Sequence, residues 1–375
     1  MRLWRRASAV LKDQNSIWIA RLSRRTALRN PDIESAVIKA TNHDEFSMDV
    51  KNTDRVFKWI RLSTCHVKPL VWSISNRTEK TRSWVVALKG LILMHGVINC
   101  NVQAVQKIGR LPFDLSDFAD GHSDPGKTWA HNSFIRQYYA FLDQKSIIIY
   151  QNFEERKAQK IVSINKELQL LQKLQGLLDL LMQIKPKSNA TRVPLVQDAM
   201  DGIIIEIFDI YSKISRGIAI ILVNIYSAKK AEATMALELV QKAKAQGDEV
   251  SLYIKFCRQI GVVNALEFPM VEKVPEDGIE ELEQIIIGLS ESEKSVVNEL
   301  GYKQQDDTSI VIVDSENSNE GKDSKKATII TDKWEKFEED LMIVSQENPF
   351  SASWITPVLH SKINNQEQLP DLISF

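Results

Sequence analysis

A short run of cations close to the N-terminus carries the side chains best suited to chemistry in this chain. Lys39 and His43 stand four residues apart in the stretch Lys39-Ala-Thr-Asn-His43, and Lys51 follows them. Arg24 and Arg25 precede them in an arginine-rich segment. Lysine, arginine and histidine side chains bind phosphate oxygens through charge-assisted hydrogen bonds. A basic N-terminal part of this kind suits phosphate groups on a lipid surface or on nucleic acid.

Motifs for catalysis are absent from the sequence. It contains no glycine-rich phosphate loop, no Cys-x-x-Cys pair, no His-Glu-x-x-His and no Gly-x-Ser-x-Gly. The six histidines are scattered, and His95, on an apolar helix face, is expected to lie in the core. We therefore expect no enzyme activity, no metal site and no cofactor. Nucleic acid is not an expected partner either, because no recognised module with interleaved aromatic residues occurs.

Helical periodicity dominates the chain up to about residue 300, with apolar residues recurring at three- and four-residue steps. This pattern predicts an all-α fold built as a helical stack or solenoid. Residues 203–226 are the segment most like a membrane span, but four charged residues interrupt them, so we expect a buried helix. Helices are expected over residues 56–63, 84–98, 133–152, 159–184, 195–226, 228–260 (broken near Gly247) and 276–300.

Charge is distributed unevenly along the 375 residues. Residues 1–110 hold 20 Lys and Arg against 8 Asp and Glu, whereas residues 265–375 hold 9 against 24. After about residue 301 the composition is polar and charged, and such a segment cannot bury enough apolar surface to offset chain entropy. We therefore expect a helical domain over residues 1–300 and a disordered tail over residues 301–375. The acidic tail should project away from an anionic surface.

Three separated stretches of the helical part resemble the ANTH domain of clathrin assembly proteins, and are most similar to plant members. They read Ser35-Ala-Val-Ile-Lys-Ala-Thr-Asn-His-Asp44, Trp84-Val-Val-Ala-Leu-Lys-Gly-Leu-Ile-Leu-Met-His95 and Ser133-Phe-Ile-Arg-Gln-Tyr-Tyr-Ala-Phe-Leu-Asp143. The resemblance covers roughly residues 1–270 and implies an ENTH/ANTH-like helical stack. It also implies binding of phosphatidylinositol 4,5-bisphosphate through exposed lysines and a histidine, and sorting of R-SNARE cargo by residues that remain unassigned.

Two positions of the family's lipid motif differ in this chain. The motif is a Lys, nine residues, a second Lys, any residue, Lys or Arg, and then His or Tyr. Lys39 and Lys51 fill the first and third cationic positions, but Asp49 replaces the second Lys and Asn52 the His or Tyr. Each lost cation removes a contact of about 1.5 to 3 kcal/mol, so weaker or less selective headgroup binding is expected. Two roles stay open for His43, a lipid contact and a hydrogen bond within the fold.

The N-terminal segment that includes Arg24 and Arg25 mixes cations with large apolar side chains such as Trp18. This mixture suits a helix lying on an anionic membrane, and it also suits a solvated helix face beside a core. In the first case the arginines would supplement the weakened motif, and binding would depend on general negative charge and on salt.

Two short motifs in the predicted tail resemble peptide ligands of endocytic proteins. Asn348, Pro349 and Phe350 resemble the ligand of EH domains, in which an Asn-Pro turn presents Phe to an apolar pocket. Trp334 and Phe337 resemble the Trp-x-x-Phe motif that adaptor appendages bind, although a short docking helix explains them equally well.

A third tail motif, Leu372, Ile373 and Phe375, resembles the clathrin box that binds the clathrin heavy chain.

Three cysteines without paired spacing indicate a reducing compartment. Together with the resemblance, these features predict a cytoplasmic clathrin adaptor of endocytosis, peripheral on clathrin-coated pits and vesicles at the plasma membrane and also at the Golgi. The alternative is a cytosolic helical scaffold that binds a protein partner such as a SNARE and has a decayed lipid site.

Overall fold

A computed structural model of the chain describes residues 2–121, 125–158, 164–268, 279–280 and 282–288. The regular structure within these residues is helical and includes no strand, which confirms the all-α prediction. The α-helices are α1 (Arg2–Leu22), α2 (Pro31–Ala40), α3 (Val50–Leu62), α4 (Val67–Glu79), α5 (Trp84–Asn99), α6 (Gln103–Gln106), α7 (Pro125–Lys157), α8 (Ile164–Gln183), α9 (Pro194–Asn224), α10 (Lys230–Gln259) and α11 (Asn264–Glu267).

Successive helices pack on one another and share an extended core. The α1 helix packs on α2, α2 on α3 and α4, and α4 on α5; α7 then joins α5 to α8, which packs on α9 and α10. One hydrophobic cluster runs from Ile33 in α2 to Phe268 beyond α11 and includes Leu282. This order of contacts is that of a helical stack, as the periodicity predicted. No helix in the described part of the chain is both long enough and apolar enough to cross a bilayer.

The expected helices occur with shifted ends, and one expectation is wrong. The predicted break near Gly247 does not occur, because α10 continues through this residue. Gly247 lies on the buried face of α10 beside Ala243 and Val250. Packing of that face offsets the roughly 1 kcal/mol by which a glycine disfavours a helix. Of the helix expected over residues 276–300, residues 279–280 and 282–288 are described, and they are helical.

The predicted tail, residues 301–375, lies outside the described residues. The three peptide motifs that the sequence analysis assigned to this tail lie there too. They comprise Trp334 and Phe337, Asn348, Pro349 and Phe350, and Leu372, Ile373 and Phe375.

A glycine allows α3 to approach α5 closely. Gly96 of α5 faces the ring of Phe57 on α3, and a Cβ at position 96 would overlap that ring. Phe57 and Ile60 are buried on the inward side of α3. The opposite side of this helix is therefore held at a fixed place on the surface.

Glu206 of α9 is the centre of a buried polar network that joins α5, α7 and α9. Its carboxylate lies 3.1 Å from His95 Nε2, accepts a hydrogen bond from Asn99 Nδ2 at 3.2 Å, and pairs with Lys145 Nζ at 2.6 Å. His95 Nδ1 lies 2.8 Å from the hydroxyl of Tyr138. Burial lowers the pKa of His95 to about 4, so the imidazole is neutral at pH 7. His95 is thus a core residue, as the sequence indicated.

The charge of Glu206 depends on its partners. Burial by itself would raise the pKa of this carboxyl, but the Lys145 ammonium and the hydrogen bond to His95 hold the pKa well below its ordinary value. The core therefore contains an ion pair whose members satisfy each other.

Removal of this carboxylate should destabilise the fold strongly, because Lys145 would be left as an unpaired cation in the core. We expect Glu206→Ala to lower the free energy of unfolding by about 3 to 5 kcal/mol. As a control, Asp209→Ala breaks the exposed pair with Lys213 on the same helix. This substitution should change the free energy of unfolding by less than about 1 kcal/mol. Urea denaturation followed by circular dichroism measures both, and equal losses would contradict the role of the network.

Candidate functional site

The α2 helix ends at the first cation of the predicted lipid motif. Asn30 caps its N-terminus by accepting a hydrogen bond from the Asp32 main-chain N–H at 3.1 Å, and Pro31 occupies the first helical position. Lys39 lies half-exposed in the last turn. A cation at this end of a helix is favoured by the helix dipole, so the position suits Lys39 before any ligand is considered.

Asp13 of α1 holds the loop that follows α2, residues 41–49 (the 41–49 loop). Its carboxylate accepts a hydrogen bond from the His43 main-chain N–H at 3.0 Å and lies 2.9 Å from His43 Nδ1. Arg77 of α4 pairs with the same carboxylate at 2.5 Å and donates to the Thr41 carbonyl at 3.1 Å. Burial alone would raise the pKa of Asp13, but the His43 hydrogen bonds and the Arg77 charge lower it. An ionised Asp13 therefore joins α1, the loop and α4.

Two further charged residues hold the loop from α5 and α9. The ammonium of Lys89 is fully buried and donates to Asn42 Oδ1 at 2.7 Å, and burial lowers its pKa to about 8. The Asp198 carboxylate accepts a hydrogen bond from the Met48 main chain, and burial and the neighbouring Asp201 raise its pKa to about 6. Contacts from four helices thus hold the 41–49 loop in place.

Asp49 and Asn52, the two departures from the family's lipid motif, form the N-terminal cap of α3. The Asp49 side chain accepts hydrogen bonds from the Asn52 main-chain N–H at 3.1 Å and from Asn52 Nδ2 at 2.7 Å. An Asp at this position stabilises a helix by about 0.5 to 2 kcal/mol, and its charge is favourable beside the N-terminal end of the helix dipole. Both side chains therefore serve α3, and neither contributes a cation to the site.

The cations selected from the sequence occupy three kinds of environment. Lys39 and Lys51 flank the 41–49 loop, and Lys51 is exposed. Neither lysine forms an ion pair within the part of the chain that the structure describes. Arg24 is exposed, and the described residues offer it no acidic partner either. Arg25 is exposed but pairs with Asp32 of α2. Three of these four side chains are thus available to an anionic ligand without first breaking an ion pair.

His43 is placed differently, because its side chain is only 18% exposed and its ring is bonded to Asp13. This geometry favours the second of its two possible roles, a hydrogen bond within the fold. Across the described ranges, no group of three or more His, Cys, Asp and Glu side chains is arranged to hold a metal ion.

Sequence reasoning missed the four side chains that shape the loop, Asp13, Arg77, Lys89 and Asp198. Lys89 alone had a visible signal, since it is the one Lys, Arg, Asp or Glu in the mostly apolar α5. A buried charge in such a helix needs a partner, but the sequence does not reveal which residue supplies it.

The fold and site define an all-α helical stack that exposes cations at both ends of a firmly held loop. Residues 32–288 match the family model of the ANTH domain. An Arabidopsis thaliana protein named "Putative clathrin assembly protein" is 43% identical over 387 aligned positions, covering 100% of both chains. A second Arabidopsis protein of that name is 41% identical over 349 positions, covering 91% of this chain and 89% of its own. The chain belongs to the ANTH-domain family of clathrin assembly proteins, and the resemblance noted in the sequence is confirmed.

Loss of the Asp13 carboxylate should loosen the 41–49 loop, because His43 and Arg77 would lose their shared acceptor. We expect Asp13→Ala to increase amide hydrogen exchange at least about tenfold in the loop and in α1, on the basis of a lost charged contact of about 1.5 to 3 kcal/mol. Glu45→Ala removes an exposed acid of the same loop and should leave exchange unchanged. Mass spectrometry measures the exchange. Equal exchange rates in the two variants would contradict the role given to Asp13.

Proposed function

We propose that this chain is a clathrin adaptor of endocytosis whose helical domain, residues 1–300, docks on phosphoinositide-containing membranes. The observation that supports it most is the placement of Lys39 and Lys51, cations without ion pairs among the described residues, at the two ends of a loop fixed by buried contacts. A fixed backbone lowers the entropy lost when these side chains bind phosphate. The name that the relatives share, clathrin assembly protein, supports the clathrin part of the proposal.

Each cation of the site has a definite part in this docking. Lys39 and Lys51 contact headgroup phosphates, and Arg24 adds positive charge from the segment after α1. Arg25 can exchange its exposed Asp32 pair for phosphate at little cost, because exposed pairs contribute at most about 1 kcal/mol. His43 positions the loop and does not touch lipid.

The α1 helix adds apolar side chains to the docking surface. Leu11, Trp18 and Leu22 are spaced so that they share one line along the helix, and all three are exposed, Trp18 by 63%. Lys12 and Arg21 flank this line and are also exposed. Apolar side chains framed by cations suit the interface of an anionic bilayer. Between the two readings of the N-terminal segment, this arrangement favours contact with a membrane.

The tail, residues 301–375, recruits partners through its three peptide motifs. We assign EH-domain proteins to Asn348-Pro349-Phe350, the clathrin heavy chain to the clathrin-box-like motif, and an adaptor complex to the Trp-x-x-Phe motif. Single weak motifs suffice because many copies on one membrane raise the effective concentration of binding sites. The expected places of action are clathrin-coated pits and vesicles at the plasma membrane, with the Golgi as a second site, and an R-SNARE is the proposed cargo.

One observation favours the rival function, a cytosolic scaffold that binds a protein such as a SNARE. Asp49 and Asn52 are engaged with each other as a helix cap, so the family's second Lys and its His or Tyr have been replaced by residues with a structural use. The scaffold differs from the adaptor in a measurable way, because it would not be recruited to membranes while its tail motifs still bound their partners.

Co-sedimentation of the full chain with vesicles separates the two functions. The vesicles contain phosphatidylcholine with either phosphatidylinositol 4,5-bisphosphate or phosphatidylserine at equal total charge. We expect preferential binding to the bisphosphate, and at least about a tenfold loss in Lys39→Glu plus Lys51→Glu, since two charged contacts are removed.

The matched control for this experiment is Arg216→Glu plus Lys255→Glu, which reverses two exposed cations on α9 and α10. It should bind like the unchanged chain. If the unchanged chain binds neither kind of vesicle, the scaffold replaces the adaptor as the proposed function.

A further inference from the structure

The 41–49 loop is itself acidic. It contains Asp44, Glu45 and Asp49 and no Lys or Arg, and Asp44 and Glu45 are exposed. Like charges at close range repel each other, so an anionic headgroup placed against this loop meets three carboxylates. Lys39 and Lys51 at the two ends of the loop are opposed by this charge, and close contact with an anionic surface requires further cations nearby.

The α3 helix supplies such cations immediately after the loop. Lys51, Arg55 and Lys58 stand at positions i, i+4 and i+7, which places them on one face of the helix, and all three are exposed. Leu62 continues this row one turn later and is 78% exposed. Asp54, the one acid of α3, is half-buried; it stands three residues after Lys51 and four before Lys58, and among the described residues it forms an ion pair with neither. We call Lys51, Arg55, Lys58 and Leu62 the α3 row.

Arg55 is held in position by an aromatic ring. Its guanidinium carbon lies 4.6 Å from the centroid of the Trp59 ring, and Trp59 packs against the core. A guanidinium that stacks on a ring keeps the N–H groups at its edge free for phosphate oxygens. Neither Arg55 nor Lys58 forms an ion pair among the described residues, so both charges are available to a partner.

We propose that the α3 row is the main electrostatic contact of this chain with an anionic bilayer, with Leu62 as its apolar anchor. This assignment rests on the proposed membrane docking. It places the main membrane contact on the exposed face of α3 and not on the family's lipid motif. Asp49 and Asn52, at the altered motif positions, cap the same helix that carries the replacement charges. Because the cations of the row lie along an open helix face, they respond to the charge density of the bilayer more than to one headgroup, and the preference for the bisphosphate depends on Lys39 together with Lys51.

Neutralising two members of the α3 row in the full chain tests this assignment. Arg55→Gln plus Lys58→Gln should weaken binding about tenfold or more to vesicles containing phosphatidylserine and to vesicles containing the bisphosphate at equal charge. The salt dependence of the remaining binding should also be shallower. Arg216→Gln plus Lys255→Gln loses the same charge from exposed sites on α9 and α10 and should bind within about twofold of the unchanged chain.

A charge-preserving exchange separates loss of charge from loss of structure. Lys58→Arg keeps the cation at position 58 and leaves the stacked Arg55 unchanged, so it should bind like the unchanged chain, and thermal unfolding should be similar for all variants. If the unchanged chain binds but the Gln variant matches its control, the α3 row is not the contact, and membrane docking through Lys39 and Lys51 still stands. If the unchanged chain binds neither vesicle, both proposals are overturned.

Discussion

The carboxylate of Asp13 is the contact on which the geometry of the candidate site depends. It accepts a hydrogen bond from the His43 main-chain N–H, lies within hydrogen-bond distance of the His43 ring Nδ1, and pairs with Arg77. The α1 helix, the 41–49 loop and α4 therefore meet at one buried group. Displacement of the loop would remove both His43 hydrogen bonds from the Asp13 carboxylate and the Thr41 carbonyl from the Arg77 guanidinium, which is costly in a buried place. Lys39 and Lys51 are therefore presented at the ends of a loop that is firmly attached to the helical stack.

Charge is divided sharply between neighbouring elements of this surface. The 41–49 loop carries acids only, whereas α3 carries four Lys and Arg with one Asp. Asp49 lies at the junction, where its charge stabilises the start of α3 and opposes an anionic ligand. The same residue thus favours the fold and weakens the family's lipid motif. The α2 helix packs on both α1 and α3, and through it the apolar line of α1 and the cations of α3 belong to one end of the stack.

Features that depend on residues close together in the sequence could be predicted. Contacts between residues far apart in the sequence could not. The helices follow from periodicity, which is a local property, and the break expected at Gly247 failed because packing outweighed glycine's low helix propensity. The role of His43 stayed open because its partner Asp13 lies 30 residues away, and Arg77 lies 64 residues from that same carboxylate. The domain boundary near residue 300 and the tail motifs stay predictions.

The orientation of the helical stack on the membrane is the most direct test of this account. A fluorophore is attached through Leu62→Cys on α3 or Leu252→Cys on α10, two positions that are similarly exposed, in a chain whose exposed Cys65 is replaced by Ser. Vesicles containing the bisphosphate carry nitroxide-labelled lipids that quench fluorescence at short range. We expect binding to quench the label at position 62 and to leave the label at position 252 bright. Quenching at position 252 without quenching at position 62 would contradict docking through the α1–α3 end.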